Sequence, residues 1–136
     1  INKNKKQYSK IKNLKFSKFN TNDKFNNQLI LSNKNKAIYA RFYLHALTNS
    51  EIKSFISLCG NLLNKNERLY IEYRTEKDKK RNKETQKHYR NYINPKSINK
   101  LLKQFNLKNL YFVEGLGYAK YKDDDAFVAR HVIEKK

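Results

Sequence analysis

Arg41 sits inside an otherwise apolar run, Ala37-Ile38-Tyr39-Ala40-Arg41-Phe42-Tyr43-Leu44, where a guanidinium without a partner is costly. It needs a carboxylate, either that of Glu72 on a neighbouring strand or that of a ligand. His45 follows the same run, where an imidazole can serve a pocket as general base or make a structural hydrogen bond at a helix start. Glu72 and Arg74 flank Tyr73, so a regular strand points both to one side. Arg74, at the end of that strand, suits an anionic substrate group. His88-Tyr89-Arg90 gathers donors and an aromatic ring in one loop, as a substrate clamp or a loop anchor. Tyr118, Lys120 and Tyr121 form a later group that serves either substrate contact or packing. No Cys/His cluster has metal-ligand spacing. Cys59, the single cysteine, lies on an apolar stripe and reads as a small buried hydrophobe.

The elements that must hold these residues can be read from periodicity. The apolar run 37–44 has strand length and suits burial on both faces. Thr48-Asn49-Ser50-Glu51 has the pattern of a capping box, and Ile52, Phe55, Ile56, Cys59, Leu62 and Leu63 then recur at helical spacing. Gly60 weakens that helix near its end. Arg68 to Arg74 is a second strand, and the charged stretch from Thr75 to Lys87 is an excursion. Asn94-Pro95 opens another helix, with Asn as N-cap and Pro at the first helical position. Ile98, Leu101, Leu102 and Phe105 supply its buried face. Leu110 to Val113 and Ala126 to Ile133 are further strands. Strands alternating with helices imply parallel pairing, whereas the last two lack a helix between them and should pair antiparallel. Before residue 37 the chain is basic and polar, with a short strand predicted over Ile11 to Phe19.

A parallel α/β sheet closed by an antiparallel last strand resembles the C-terminal half of the class I S-adenosylmethionine-dependent methyltransferase fold. The residues carry the resemblance further. Ala37 to Leu47 is similar to the fourth strand and following turn of bacterial methyltransferase domains. Arg68 to Thr75, with Lys77-Asp78, is similar to their fifth strand and exit loop. His88-Tyr89-Arg90-Asn91-Tyr92-Ile93 resembles an "HYRRF" segment of one bacterial subgroup. Gly117 to Asp125 with Val128-Ala129-Arg130 resembles that subgroup's tail. The resemblance covers about residues 37–135 well and residues 1–36 weakly. It implies one partial domain over residues 1–136, entering near the family's third strand. The fold implied is Rossmann-like and mostly parallel, lacking the first strands and the Gly-rich turn; the only glycines are Gly60, Gly115 and Gly117.

The implied cofactor is S-adenosylmethionine. Its contacts would fall on Asn20 and Thr21 after the third strand and on Ala40, Arg41 and Phe42 at the end of the fourth. His45 would be the catalytic base. Glu72, Arg74, His88, Tyr89, Arg90 and Tyr118 would meet the acceptor, a small molecule or a glycan- or lipid-like compound, with an anionic one suited to these residues. Such a piece alone is expected to be inactive and poorly stable or oligomeric, with its sheet edge open.

The balance of 31 Lys+Arg against 12 Asp+Glu, a formal +19, favours polyanions as partners. Lys, Asn and Ile are also what AT-rich codons supply, and Lys outnumbers Arg, the better phosphate and base reader. Nucleic acid is therefore a less favoured partner. Two alternatives follow from it: an RNA-directed methyltransferase, or a non-enzymatic RNA-binding module whose sheet would display aromatic rings to solvent. No apolar run approaches a membrane span and no signal peptide is visible, which gives a cytoplasmic expectation.

Overall fold

The computed structural model describes residues 2–14, 16, 35–84 and 88–136. Asn20, Thr21 and residues 15 and 17–19 of the predicted Ile11–Phe19 strand lie outside them. A short helix, α1 (Asn2–Gln7), opens the chain. Where a strand was expected to begin, residues 11–14 instead form turns, with Ile11 and Leu14 exposed. Isolated apolar residues in a lysine-rich stretch provide too little burial to hold a strand.

The ordered part begins with β1 (Ala37–Arg41), followed by α2 (Asn49–Leu62) and β2 (Arg68–Arg74). The capping box at Thr48 is present: Thr48 Oγ1 accepts from the Glu51 N–H, and Glu51 Oε2 accepts from the Thr48 N–H at 2.8 Å. α3 (Pro95–Gln104) starts where Asn94 accepts from the Lys96 N–H at 2.9 Å. It leads to β3 (Leu107–Gly115), a two-stranded hairpin of β4 (Lys120–Tyr121) and β5 (Asp124–Asp125), and β6 (Val128–Lys135). The four long strands have the order β1-β2-β6-β3. β1 and β2 are parallel, with Arg41 opposite Glu72. β6 lies antiparallel between β2 and β3, so three strands share one direction and the last opposes them.

β1 departs from the reading of its sequence. It stops at Arg41, because Phe42 turns the chain with φ 51, a left-handed conformation that bulky residues rarely adopt. Phe42 still donates its N–H to the Glu72 carbonyl at 2.9 Å, and Leu44–Ala46 then form a 3₁₀ turn. Nor is β1 buried on both faces, since Tyr39 is 72% exposed. β3 is longer than its apolar centre suggested and bulges between Asn109 and Tyr111.

α2 and α3 cover one face of the sheet. Leu69, Ile71, Tyr73, Ala129 and Ile133 point to them and join Ile52, Ile56, Ile98 and Leu102 in one core. His131 lies on that same buried side, where the Tyr73 hydroxyl and His131 Nε2 are 2.9 Å apart and Asn109 Oδ1 lies 3.3 Å from Nδ1. Gly60 marks the closest approach of the helices: a Cβ there would lie 3.0 Å from the Phe105 carbonyl oxygen and 3.1 Å from its Cβ. Cys59 is buried and its thiol pKa is pushed up to about 12 by desolvation, so it packs rather than reacts. Gly60→Val should therefore destabilise the fold by about 1–3 kcal/mol, despite valine's better helix propensity. A urea-unfolding midpoint equal to the parent's would show that this contact has slack.

Candidate functional site

The C-terminal ends of β1 and β2, where parallel sheets present ligands, open onto a cavity of about 440 Å³. Arg41 and Phe42 reach it from β1, His45 from the 3₁₀ turn and Arg74 from β2. His88 and Arg90 come from the loop before α3, and Ala119, Lys120, Tyr121 and Asp124 from the β4–β5 hairpin. The cavity therefore collects eight residues singled out from sequence, Arg41, Phe42, His45, Arg74, His88, Arg90, Lys120 and Tyr121, drawn from segments far apart in the chain.

Its floor is a charge cluster around Arg74. The guanidinium donates to Asp78 Oδ2 from Nη1 and to Asp124 Oδ2 from Nη2, each at 2.7 Å. Burial opposes the Arg74 charge, but its hydrogen bonds to Asp124 and Asp78 outweigh it and leave its pKa raised. Burial likewise opposes the Asp124 charge, yet its bond to Arg74 prevails and its pKa falls. Asp78, fully buried, also accepts from the Phe127 N–H at 2.8 Å and pairs with Lys83 at 3.1 Å. The predicted ligand for an anionic group is thus a guanidinium already held by two carboxylates. Asp78 and Asp124 carried no assigned role in the sequence reading; the Lys77-Asp78 and Asp123-Asp124-Asp125 segments were the signal for them.

Arg41 pairs with the neighbouring strand while lining the cavity: its Nε donates to Glu72 Oε1 at 2.8 Å, and that bond, with the Glu72 charge, raises its pKa. Glu72 Oε2 accepts from Arg130. Glu72 is buried between these two cations, on the sheet face away from the helices and outside the cavity. Tyr118 is also outside it, with its carbonyl accepting from Arg130 and its ring under the same guanidinium at 5.3 Å. Tyr89 is exposed and does not line the cavity. The Ala40 side chain is buried in the core, so only its backbone can face a ligand.

His45 is the most perturbed group of the cavity. It is 8% exposed, and its Nδ1 has no hydrogen-bond partner among the described residues. Desolvation first, then the charges of Arg74, Arg90 and His88, lower its pKa to about 4. The ring is neutral at physiological pH. Its edge meets Phe42 with centroids 5.4 Å apart, and the Phe42 ring lies between the Arg41 and Arg74 guanidiniums at 5.2 and 5.7 Å. The loop carrying His88 and Arg90 is pinned beside it, because the Asn91 N–H donates to the His45 carbonyl at 2.7 Å and Asn91 Nδ2 to the Leu47 carbonyl at 3.0 Å. Ile93 bridges Thr75 in parallel. Anchoring and cavity lining are thus both properties of the 88–93 segment.

Two measurements test this electrostatic arrangement. Asp78→Ala should cost about 3–5 kcal/mol, the range for breaking one side of a buried ion pair, read as a lowered urea midpoint. Acid should also unfold the protein through His45 and His131, both held near pKa 4, the second by burial alone. The folded state keeps them neutral while the unfolded chain binds protons below the ordinary value of 6.5. Their stabilisation is therefore complete above that value and is lost as pH falls toward 4. Unfolding free energy should drop by about 2 kcal/mol per histidine between about pH 7.5 and 5, and His131→Gln should remove one share of that slope.

No family model matches the chain, and no curated protein matches it. Solved structures do. A S-adenosylmethionine-dependent methyltransferase from Clostridium acetobutylicum superposes with TM-score 0.64 at 10% identity, over 98% of this chain and 69% of its own. A Methanosarcina mazei methyltransferase of the same dependence gives TM-score 0.58 at 13% identity, over 73% and 58%. The 1,6-didemethyltoxoflavin-N1-methyltransferase of Burkholderia thailandensis, solved with 1,6-didemethyltoxoflavin and S-adenosylhomocysteine bound, gives TM-score 0.52 at 11% identity, over 79% and 48%. This chain thus spans about 58% of the archaeal protein's length and 48% of the Burkholderia enzyme's. Its sheet, with three strands in one direction and an inserted antiparallel last strand, shares the Rossmann-like fold of these methyltransferase structures.

Proposed function

We propose that this chain forms the acceptor-side part of an S-adenosylmethionine-dependent methyltransferase acting on a small-molecule or glycan-like acceptor. The observation that carries the reading is the cavity at the strand ends of β1 and β2, walled by the 88–90 loop and the β4–β5 hairpin. Its volume lies within the usual range for small-ligand sites.

The residues present supply one wall for the cofactor. Phe42, in the turn just after β1, offers a ring toward the cavity, and Arg41 beside it is half-exposed. The Gly-rich turn that brings backbone close to the cofactor has no counterpart among the described residues, where Gly60 packs between helices, Gly115 ends β3 and Gly117 follows it. When bound, S-adenosylmethionine supplies a methyl group already activated on a sulfonium. The protein's task is then alignment and exclusion of water. Arg74 fixes the floor, and the 88–90 loop confines the acceptor. His45 lines the cavity as a neutral ring and serves to position the attacking group; its Nδ1 is enclosed in the protein, and a pKa of about 4 makes the ring a weak base.

A second reading rests on a separate observation. The sheet face away from the helices shows Tyr39 and Tyr111 at 72% and 54% exposure, with Arg68 and Lys108 in the next register row on either side of Glu134. Exposed rings on an open sheet among cations suit stacking by single-stranded RNA.

Isothermal titration of S-adenosylhomocysteine into the full-length gene product separates the two. Saturable binding weakened about tenfold or more by Phe42→Ala supports methyl transfer, the factor being that expected when a stacked aromatic contact is lost. Absence of binding, together with RNA affinity that falls steeply with salt and is lost on Tyr39→Ala, would establish the second reading instead.

A further inference from the structure

α3 carries charge of one sign only. No aspartate or glutamate occurs between Glu84 and Glu114, and α3 lies inside that stretch with three lysines. Lys96, Lys100 and Lys103 stand at i, i+4 and i+7, so they share one face, opposite the buried Ile98 and Leu102. All three are exposed, and none enters an ion pair among the described residues. Lys108 does not add to this stripe, because Glu134 stands opposite it in the β3–β6 pair.

A groove of about 360 Å³ borders the stripe, between α3 and the start of β3, and no carboxylate side chain lines it. Lys103 belongs to both stripe and groove, as does Asn99, which lies between Lys96 and Lys103 on the same face. The Asn99 carbonyl oxygen meets Asn109 Nδ2 at 3.5 Å, which leaves the amide donors of Asn99 unengaged among the described residues. Ser97 and Gln104 complete the exposed surface of the helix. A helix that binds a bilayer needs an apolar face to bury in it, and the apolar face of α3 is already in the core. The phosphates of a nucleic acid strand ask only for charge and polar donors. Successive lysines rise about 6 and 4.5 Å along the axis, the distance over which a strand presents one or two phosphates.

We propose that the outer face of α3 and the adjoining groove bind the phosphate backbone of a single-stranded nucleic acid, with Lys96, Lys100 and Lys103 against phosphates and Asn99 donating at the groove. The groove admits a splayed nucleotide, which a single strand offers and a duplex withholds. Lysines act here as point charges that hold the backbone without reading the bases. None of these residues lines the cavity at the ends of β1 and β2, so the inference goes beyond the methyl-transfer reading and does not rest on it.

The test is a fluorescence-anisotropy titration of the full chain with short labelled oligouridylate and oligothymidylate over a range of salt. Both should bind, and the triple change Lys96→Gln, Lys100→Gln and Lys103→Gln should weaken both about tenfold or more at about 0.1 M salt. The same change should make the slope of log affinity against log salt shallower by about 2, three phosphates at about 0.7 each. Lys→Arg at the three positions keeps the charge and should retain binding. Lys79→Gln, Lys80→Gln and Lys122→Gln remove equal charge from exposed lysines at the cavity end and should leave affinity within about twofold. Urea midpoints should match the parent's in each case, since lysine, arginine and glutamine have similar helix propensities. An equal loss in the two glutamine triples overturns the proposal, because binding would then follow net charge alone. Loss on Tyr39→Ala with the α3 triple silent moves the strand to the open sheet face and overturns it as well. Phosphatidylserine-containing vesicles that displace the oligonucleotides and depend on the same three lysines overturn it in favour of a membrane surface. S-adenosylhomocysteine is titrated separately: the α3 triple should bind it as the parent does, and its failure to bind the parent removes the methyl-transfer reading while leaving this surface.

Discussion

The Arg74–Asp78–Asp124 cluster is the constraint on which the functional end of the molecule depends. Buried carboxylates persist only when their charge is matched and their lone pairs are occupied. Asp78 meets that condition by drawing on the end of β2, the Lys83 side chain and the Phe127 N–H just before β6. Asp124 ties in the hairpin. Four chain segments with no continuous secondary structure between them are thereby fixed around one guanidinium. Hydrophobic burial holds the helices to the sheet, but it has no means of specifying where these polar connections go; the directional bonds do.

The glutamate two residues earlier works differently. Glu72 is buried on the sheet face that the helices leave uncovered, and it owes that burial to the stems of Arg41 and Arg130 folded over it. Alternation along β2 thus carries two charge clusters on one side of the strand, one closing the cavity and the other lying across the sheet. Tyr73 between them points the opposite way into the core, where it meets His131.

Much of this could be read from the chain. The capping box at Thr48, the Asn94-Pro95 start and the apolar spacing of α2 and α3 are local signals with local causes, and the structure has them. The antiparallel return of the last strand followed from the short polar connection before it. The cavity residues Arg41, Phe42, His45, Arg74, His88 and Arg90 were legible because strand ends are where ligands gather. What was not legible depended on contacts between distant segments. Nothing near Asp78 in sequence reveals that it faces Arg74 and Phe127, or that Asp124 rather than Asp123 or Asp125 turns inward. The end of β1 was misjudged because an apolar run does not encode the left-handed turn at Phe42. Tyr118 and Glu72 pointed to the acceptor by position, but Arg130, which the sequence offered only as the end of the tail motif, claims both.

The position of β6 between β2 and β3 has a consequence for the order of assembly. β3 touches the rest of the sheet only through a strand that is synthesised after it. On the ribosome, β1, α2 and β2 can come together as they emerge, but α3 and β3 must wait with an unpaired edge until residues 128–135 appear. Long-range pairing of this kind is slow, and the waiting strand is open to the wrong partner. The bulge at Asn109/Tyr111 interrupts the regular edge that β3 would offer during that interval, a local irregularity that blunts strand-to-strand adhesion. Among the described strands, β6 is therefore the one that converts two separate halves into a single sheet.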